Sequence, residues 1–313
     1  MRSTTRRFGR GIAVCLLAGG LFLFGAGTVQ AGRLGADYFP NVQLVNQDNQ
    51  TLKFYDDMLK GKVVAINFIY THCGDSCPLE TAKLRQVQKL LGERVGRDIF
   101  IYSISIDPEH DTPAVLNEYK QKFKIGPGWQ FLTGTKADID LIRRKLGMLG
   151  DEHDLSDHNV NLIVGNETSG QWLKRTPFDV PQSIAWALGE RLQNHAGGGL
   201  AGNQDYANAT RLPDMGRGEE IFRSRCTACH TVAGNDELGP DLNGVVERRE
   251  LTWLTRFIKE PDLMLKENDP LARELLAKYK NIPMPNLKLS DEDIQALIEF
   301  LRQESKRRPE GAG

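Results

Sequence analysis

Apolar and polar positions follow two rhythms along this chain, and the change of rhythm divides it. After a lead from Gly32 to Asn41 the pattern alternates. Val63 to Tyr70 (VVAINFIY) is then an almost unbroken apolar run, as expected of a strand buried on both faces. Pro78 to Leu91 switches to helical spacing, with Leu79, Ala82, Leu84, Val87, Leu90 and Leu91 on the apolar side. Ile99–Ile106 repeats the β-branched signal. Thr112–Phe123 reads as a helix with Pro113 in its first turn, Trp129–Leu132 as a short strand and Ala137–Leu146 as a helix. Val160–Val164 and Gln171–Lys174 flank a glycine-containing turn and predict a hairpin, and Val180–Leu192 closes this part as a helix. Strands alternating with helices predict an α/β sandwich around a mostly parallel sheet.

From His195 to Asn208 the composition turns to Gly, Ala and Asn, which reads as a flexible linker over 194–210. Beyond it the β-branched runs stop. Arg217–Ser224, Thr252–Ile258, Leu271–Lys278 and Ser290–Gln303 all carry helical spacing, and Ser290 with Asp293 resembles a capping box. The expectation is an α/β domain over 37–193, a small all-α domain over 211–305 and a frayed tail over 306–313.

Composition narrows the function classes. The 313 residues suit about two domains of ordinary size. Forty basic residues against 41 acidic ones argue against a broadly cationic nucleic-acid binder, so no nucleic-acid partner is expected. The one long apolar stretch, Gly11 to about Val29, follows Arg2, Arg6, Arg7 and Arg10. A charged segment followed by an apolar one is an export signal, with cleavage after Ala31 or retention of residues 11–29 as a membrane anchor. The chain is therefore expected outside the cytoplasm, in the periplasm, soluble or tethered to the inner membrane. Five cysteines are too few for a disulfide scaffold of this length, so their spacing is read as chemistry.

Cys226-Thr227-Ala228-Cys229-His230 is a C-x-x-C-H sequence. Thiols at this spacing each form a thioether with a haem vinyl group, and the adjacent histidine reaches the iron. A zinc site would need a second Cys/His pair within the domain, and a redox dithiol would suit a βαβ context better than this helical one. The sixth iron ligand should be a soft donor from a distant loop. Met284, held between Pro283 and Pro285, is preferred to Met264 or an open site, the alternative role of either methionine being core filling.

Cys73 and Cys77 lie between the apolar strand and the helix that follows it. A helix N-terminus favours thiolates, and thiolates select Cu(I), with an added imidazole accommodating Cu(II). His158 precedes the strand VNLIV and is placed to reach the same sheet end, giving two sulfurs and an imidazole for one copper ion. The other reading is a redox dithiol or a structural disulfide. His72 should point away from its neighbour Cys73, and His110 and His153 read as solvated loop residues.

Two resemblances follow from these motifs. The segment from Asn67 to Cys73, then Cys77-Pro78, Asp107-Pro108-Glu109-His110-Asp111-Thr112-Pro113 and Asp157-His158 resembles the Sco/SenC copper-chaperone family over about residues 37–193. That resemblance implies a thioredoxin-like fold, copper held by Cys73, Cys77 and His158, and a role in assembling the copper centre of cytochrome c oxidase. Gly74 stands where the family often has proline, and the segment before His158 lacks a common aromatic. Residues 211–305 resemble class I cytochromes c through Gly218, Phe222, the C-x-x-C-H segment, Gly239 to Gly244, Ile282-Pro283-Met284-Pro285 and the last helix. That implies Pro240 beside the histidine and a close crossing of the first and last helices at Gly218.

A single haem exchanges one electron, whereas a dithiol exchanges two. Copper matches the haem one for one. The leading expectation is a copper-handling assembly factor whose tethered haem trades single electrons with the copper site. A copper-centre subunit and periplasmic electron donors or acceptors are its partners. The alternatives are a thiol–disulfide oxidoreductase acting on a client's copper-ligand cysteines, and an electron carrier whose first domain only docks.

Overall fold

The computed structural model describes residues 34–73, 77–150, 154–155, 158–193 and 215–307. The expected leader or anchor, the linker, His153 and the last residues of the tail lie outside them. No helix among the described residues is long and apolar enough to cross a membrane.

Seven strands form one sheet: β1 (Gln43–Asn46), β2 (Thr51–Lys53), β3 (Val63–Ile69), β4 (Ile99–Ser105), β5 (Trp129–Thr133), β6 (Leu162–Asn166) and β7 (Gln171–Arg175). Their order is β2-β1-β5-β4-β3-β6-β7. The expected mostly parallel sheet is corrected here: only the central β3–β4 and β4–β5 pairs are parallel. The flanks are antiparallel because β1/β2 and β6/β7 are hairpins, and β1 joins β5 and β6 joins β3 in the opposite sense. Parallel neighbours need crossover helices, and the chain supplies these only around the centre. They are α1 (Cys77–Leu91) and α2 (Pro113–Lys122); α3 (Lys136–Lys145) and α4 (Pro181–Trp186) complete the domain, and a wide turn at Ala187–Arg191 extends α4.

All seven residues of β3 are buried, and its pleat feeds two cores. Val63, Ala65 and Ile69 pack with α1 and α2 on one face, while Val64, Ile66 and Phe68 pack with α3 and the N-terminal segment on the other. β3 and β4 run side by side from Val63↔Ile99 to Ile69↔Ser105, so both end at the same edge of the fold. β6 pairs antiparallel to β3 and therefore begins near that edge, with His158 just ahead of it.

The helical domain comprises α5 (Arg217–Ile221), α6 (Val245–Arg248), α7 (Leu251–Lys259), α8 (Pro261–Lys266), α9 (Pro270–Lys278) and α10 (Asp291–Arg307). Its core is built by Ile221, Phe222, Leu254, Ile258, Leu297 and Leu301. The predicted capping contact is made, the Asp293 amide donating to Ser290 Oγ at 3.2 Å. Helix α8 went unpredicted; it buries Met264. α5 and α10 cross at Gly218, where a Cβ would lie 2.0 Å from the Ala296 carbonyl oxygen.

The two domains belong to one compact unit. Leu79 and Leu84 of α1 share an apolar cluster with Ala228 and Leu238 of the helical domain.

Candidate functional site

Two cavities lie side by side between and within the domains. The first, of about 370 Å³, is lined by Cys226, Cys229, His230 and Met284, with apolar walls that include Leu254 and Leu297. The wide turn Phe222–Cys226 continues α5 into the C-x-x-C-H segment, and the His230 amide donates to the Cys226 carbonyl at 2.9 Å. His230 Nδ1 lies 2.9 Å from the Pro240 carbonyl, so the proton sits on Nδ1 and the Nε2 lone pair is left for a ligand. Burial lowers the imidazole pKa and keeps the ring neutral, which suits metal coordination. A Cβ on Gly239 would stand 2.6 Å from His230 Cε1, so the absence of a side chain there lets the ring adopt this pose. Burial pushes both Cys226 and Cys229 up to about 12, which speaks against a redox dithiol there. Met264 is buried in α8 and does not line the cavity, whereas Met284 does. Two thiols, an oriented neutral imidazole and a thioether around an apolar cavity fit a covalently held haem.

The second cavity, of about 500 Å³, opens at the sheet edge where β3 and β4 end. Cys73 and His158 both line it. Cys77 is the first residue of α1, fully buried, and its thiol is hydrogen-bonded to Cys73. No three His, Cys, Asp or Glu side chains among the described residues already stand as a metal-holding group. The expectation that the helix N-terminus favours a Cys77 thiolate is corrected. The hydrogen bond with Cys73, burial and the charges of Cys73 and Glu80 together push the Cys77 thiol up. Two sulfurs in contact resist carrying two negative charges, and a bound cation would remove that penalty. His158 Nδ1 is held by the Leu155 carbonyl at 2.8 Å. Its Nε2 is buried without a hydrogen-bond partner, an orphan that a soft metal ion would satisfy. Cys73 and His158, the two donors that line the cavity, have the chemistry that suits a Cu(I)-type cargo.

Several supporting residues were not legible in the sequence. Asp111, fully buried, accepts from the Thr71 amide at 3.1 Å and from Ser105 Oγ at 2.6 Å. It fixes the turn that delivers Cys73; the only signal for it was its place beside Asp107 and Thr112. His72 is exposed, with Nε2 3.7 Å from Asp107 Oδ2, and it does not line the cavity with Cys73. His110 is exposed as expected, but it is tied to Asp107 at 2.8 Å, which raises its pKa.

Glu80 lies one helical turn beyond Cys77 with no solvent exposure. One oxygen accepts from Asn67 Nδ2 at 2.9 Å and the other has no partner. Burial, with a contribution from Cys73, raises its carboxyl to about 8 against the Asn67 bond, so it is neutral near pH 7. Between its usual value of about 4.5 and about 8, the unfolded chain has lost this proton and the folded chain keeps it. Stability therefore falls as pH rises through that window, by up to ~1.4 kcal/mol per pH unit. Glu80→Gln keeps a neutral partner for Asn67 and removes the ionisation. Denaturant midpoints measured from pH 5 to 8 are expected to lose this slope in the variant; an unchanged slope would mean that Glu80 is ionised in the fold.

The fold and these two sites define a class: a thioredoxin-like domain fused to a c-type cytochrome. The SCO1/SenC family model matches residues 30–178 and the cytochrome c model matches residues 215–305. A SCO2-like protein of Rickettsia felis is 30% identical over 155 residues, covering 47% of this chain and 71% of that protein. A putative copper-binding protein of Stutzerimonas stutzeri is 29% identical over 146 residues, covering 44% and 70%. The solved structure of Bradyrhizobium japonicum ScoI with copper bound is 26% identical, with a TM-score of 0.41, covering 48% of this chain and 96% of that one. The chain belongs to the SCO1/SenC family and carries a C-terminal cytochrome c domain.

Proposed function

We propose that this chain takes up copper at Cys73, Cys77 and His158 to serve assembly of the copper centre of cytochrome c oxidase, and that a tethered haem exchanges single electrons with that copper. The family membership and a relative named as copper-binding support the cargo. The observation that carries the coupling is a shared wall. Leu79, two residues after Cys77, lines both cavities together with Arg225, Pro285 and Leu287. Electron exchange falls steeply with distance, and one layer of side chains is a short path.

Haem, when bound, supplies a one-electron centre. The chain's own residues do the rest. Cys226 and Cys229 hold the group in a domain too small to enclose it unaided, His230 presents a neutral imidazole, and Met284 offers a thioether that favours a high potential. Cys73 and Cys77 supply soft donors, and His158 adds an imidazole held in one tautomer by Leu155. Residues 11–29 as a leader or anchor would place this chemistry on the exported side of a membrane, beside a copper-centre subunit and small electron donors or acceptors.

A second reading, thiol–disulfide exchange on a client's cysteines, is favoured by the direct contact of Cys73 with Cys77. It requires two electrons per event against the single electron of one haem.

Anaerobic addition of Cu(II) to the protein in its ferrous form tests the proposal. The haem absorption bands are expected to shift to the ferric form in step with copper, complete at one copper per chain, as Cu(II) becomes Cu(I). Cys73→Ser should abolish the shift. Stoichiometric copper binding with unchanged haem bands would overturn the coupling.

A further inference from the structure

The cavity holding Cys73 and His158 is closed from the other side by the helical domain. Ser224, Arg225, Pro285, Asn286, Leu287 and Lys288 complete its wall. Cys73 is only 6% exposed and Cys77 fully buried. A client protein approaching from that side meets the helical domain before it meets these thiols.

Beyond the apolar contact of Leu79 and Leu84 with Ala228 and Leu238, the polar contacts that hold it there centre on one residue. Arg85 Nη2 donates to Glu237 Oε2 at 2.9 Å and Lys89 Nζ to Glu237 Oε1 at 3.2 Å. Lys124 Nζ reaches the carbonyl of the same residue at 2.9 Å. Arg85 is almost fully buried in the arrangement. A further polar clasp is Gln86 Nε2 on the Thr227 carbonyl at 2.7 Å. Arg85, Gln86 and Lys89 all project from α1, the helix that begins at Cys77. Two cations on one carboxylate and a third on the main-chain carbonyl of the same residue, set along the helix that begins at Cys77 and the end of α2, form a docking surface whose recognition chemistry is explicit.

We propose that the helical domain and the copper client use this face in turn, with Glu237 as the latch and a client carboxylate as its replacement against Arg85 and Lys89. The inference rests on the proposed copper function and adds its regulation. In the latched form the helical domain walls one side of the cavity, which adjoins the haem site; in the unlatched form that side faces a partner with an acidic surface. Competition between an intramolecular acid and an intermolecular one makes delivery depend on the partner's charge and on ionic strength.

The test uses the full haem-loaded chain and reads alkylation of Cys73 and Cys77 by a bulky polymer-linked maleimide, resolved by peptide mass spectrometry. Glu237→Lys is expected to raise the alkylation rate about tenfold or more, the scale of a lost charge contact of ~1.4 kcal/mol. High salt should do the same in the unaltered chain. A short polyglutamate peptide should accelerate labelling of the unaltered chain where polylysine does not. Glu299→Lys, a charge reversal on the exposed face of α10, should leave the rate unchanged, and retained haem bands exclude unfolding. Equal rates in Glu237→Lys and the unaltered chain would overturn the latch, and an inert polyglutamate would overturn the acidic partner. Copper content, measured on the same samples, reads the underlying function separately. Copper bound with a salt-insensitive thiol rate sinks the latch alone; a responsive latch with no copper sinks the copper reading alone.

Discussion

A chain carrying Cys73→Ser and Cys77→Ser is expected to lose its copper site and keep its haem spectrum. The serine hydroxyls are nearly the shape of the thiols, so the buried turn at Cys73 and the first turn of α1 should survive. Asp111 holds that turn through Thr71 and Ser105, neither of which changes. What disappears is ligand chemistry. A neutral hydroxyl is a hard, weak donor, and His158 Nε2 alone makes a poor Cu(I) site. Loss of supporting groups around a metal already costs 10–100-fold in affinity, so removal of two of the three proposed ligands should cost about a thousandfold or more. Competition against a coloured Cu(I) chelator measures this directly. Copper retained at one per chain with unaltered affinity would place the site elsewhere. The same variant separates the three function classes, because a carrier whose first domain only docks would support respiration without either thiol.

The parts of this fold written in local pattern were readable in advance, and the parts set by distant contacts were not. VVAINFIY announced a central strand because both faces of β3 are buried, which requires apolar residues without alternation. The approach of His158 to the cysteines followed from strand order, since β6 runs antiparallel to β3 and starts where β3 ends. Helix α1 shows the opposite case. Its spacing marks only the apolar positions, yet Glu80, Lys83, Arg85 and Gln88 are all buried as well. The polar side is consumed by tertiary partners: Asn67 for Glu80, the Phe178 carbonyl for Lys83, Glu237 for Arg85 and the Gly126–Pro127 turn for Gln88. Nothing in a 15-residue window announces a partner about 150 positions away. Burial on two sides also explains why the dipole argument failed for Cys77. A helix N-terminus favours an anion by a fraction of a kilocalorie to ~2 kcal/mol, whereas burial beside a second sulfur and a carboxyl opposes it by more.

Gly218→Val is expected to unfold the helical domain at a temperature where the sheet domain remains folded. The reason is space, since the backbone there is ordinary helix. A Cβ at this position would lie 2.0 Å from the Ala296 carbonyl oxygen and 2.8 Å from Phe300 Cβ. The first obstacle is backbone in the middle of α10 and cannot rotate away as a side chain would. Relief requires α5 and α10 to separate. That separation would pull Ile221 and Phe222 from Leu297 and Leu301, and Phe222 from Phe300, whose ring centroid is 5.3 Å away. Replacing glycine by valine would by itself favour the helix by roughly 0.3 kcal/mol, so the net loss slightly understates the packing penalty. Overpacking costs of 1–3 kcal/mol are typical where side chains can yield, and a backbone obstacle should exceed them. About 3 kcal/mol in a domain of this size lowers the melting temperature by roughly 15 °C. Because Phe222 leads directly into the C-x-x-C-H segment, covalent haem content should fall with it. Thermal melts followed at the haem band and in the far ultraviolet resolve the two domains. Copper binding at Cys73 and Cys77 should persist after the haem signal is lost. A valine variant that melts like the unaltered chain would show that the two helices do not need this contact to hold the haem domain together.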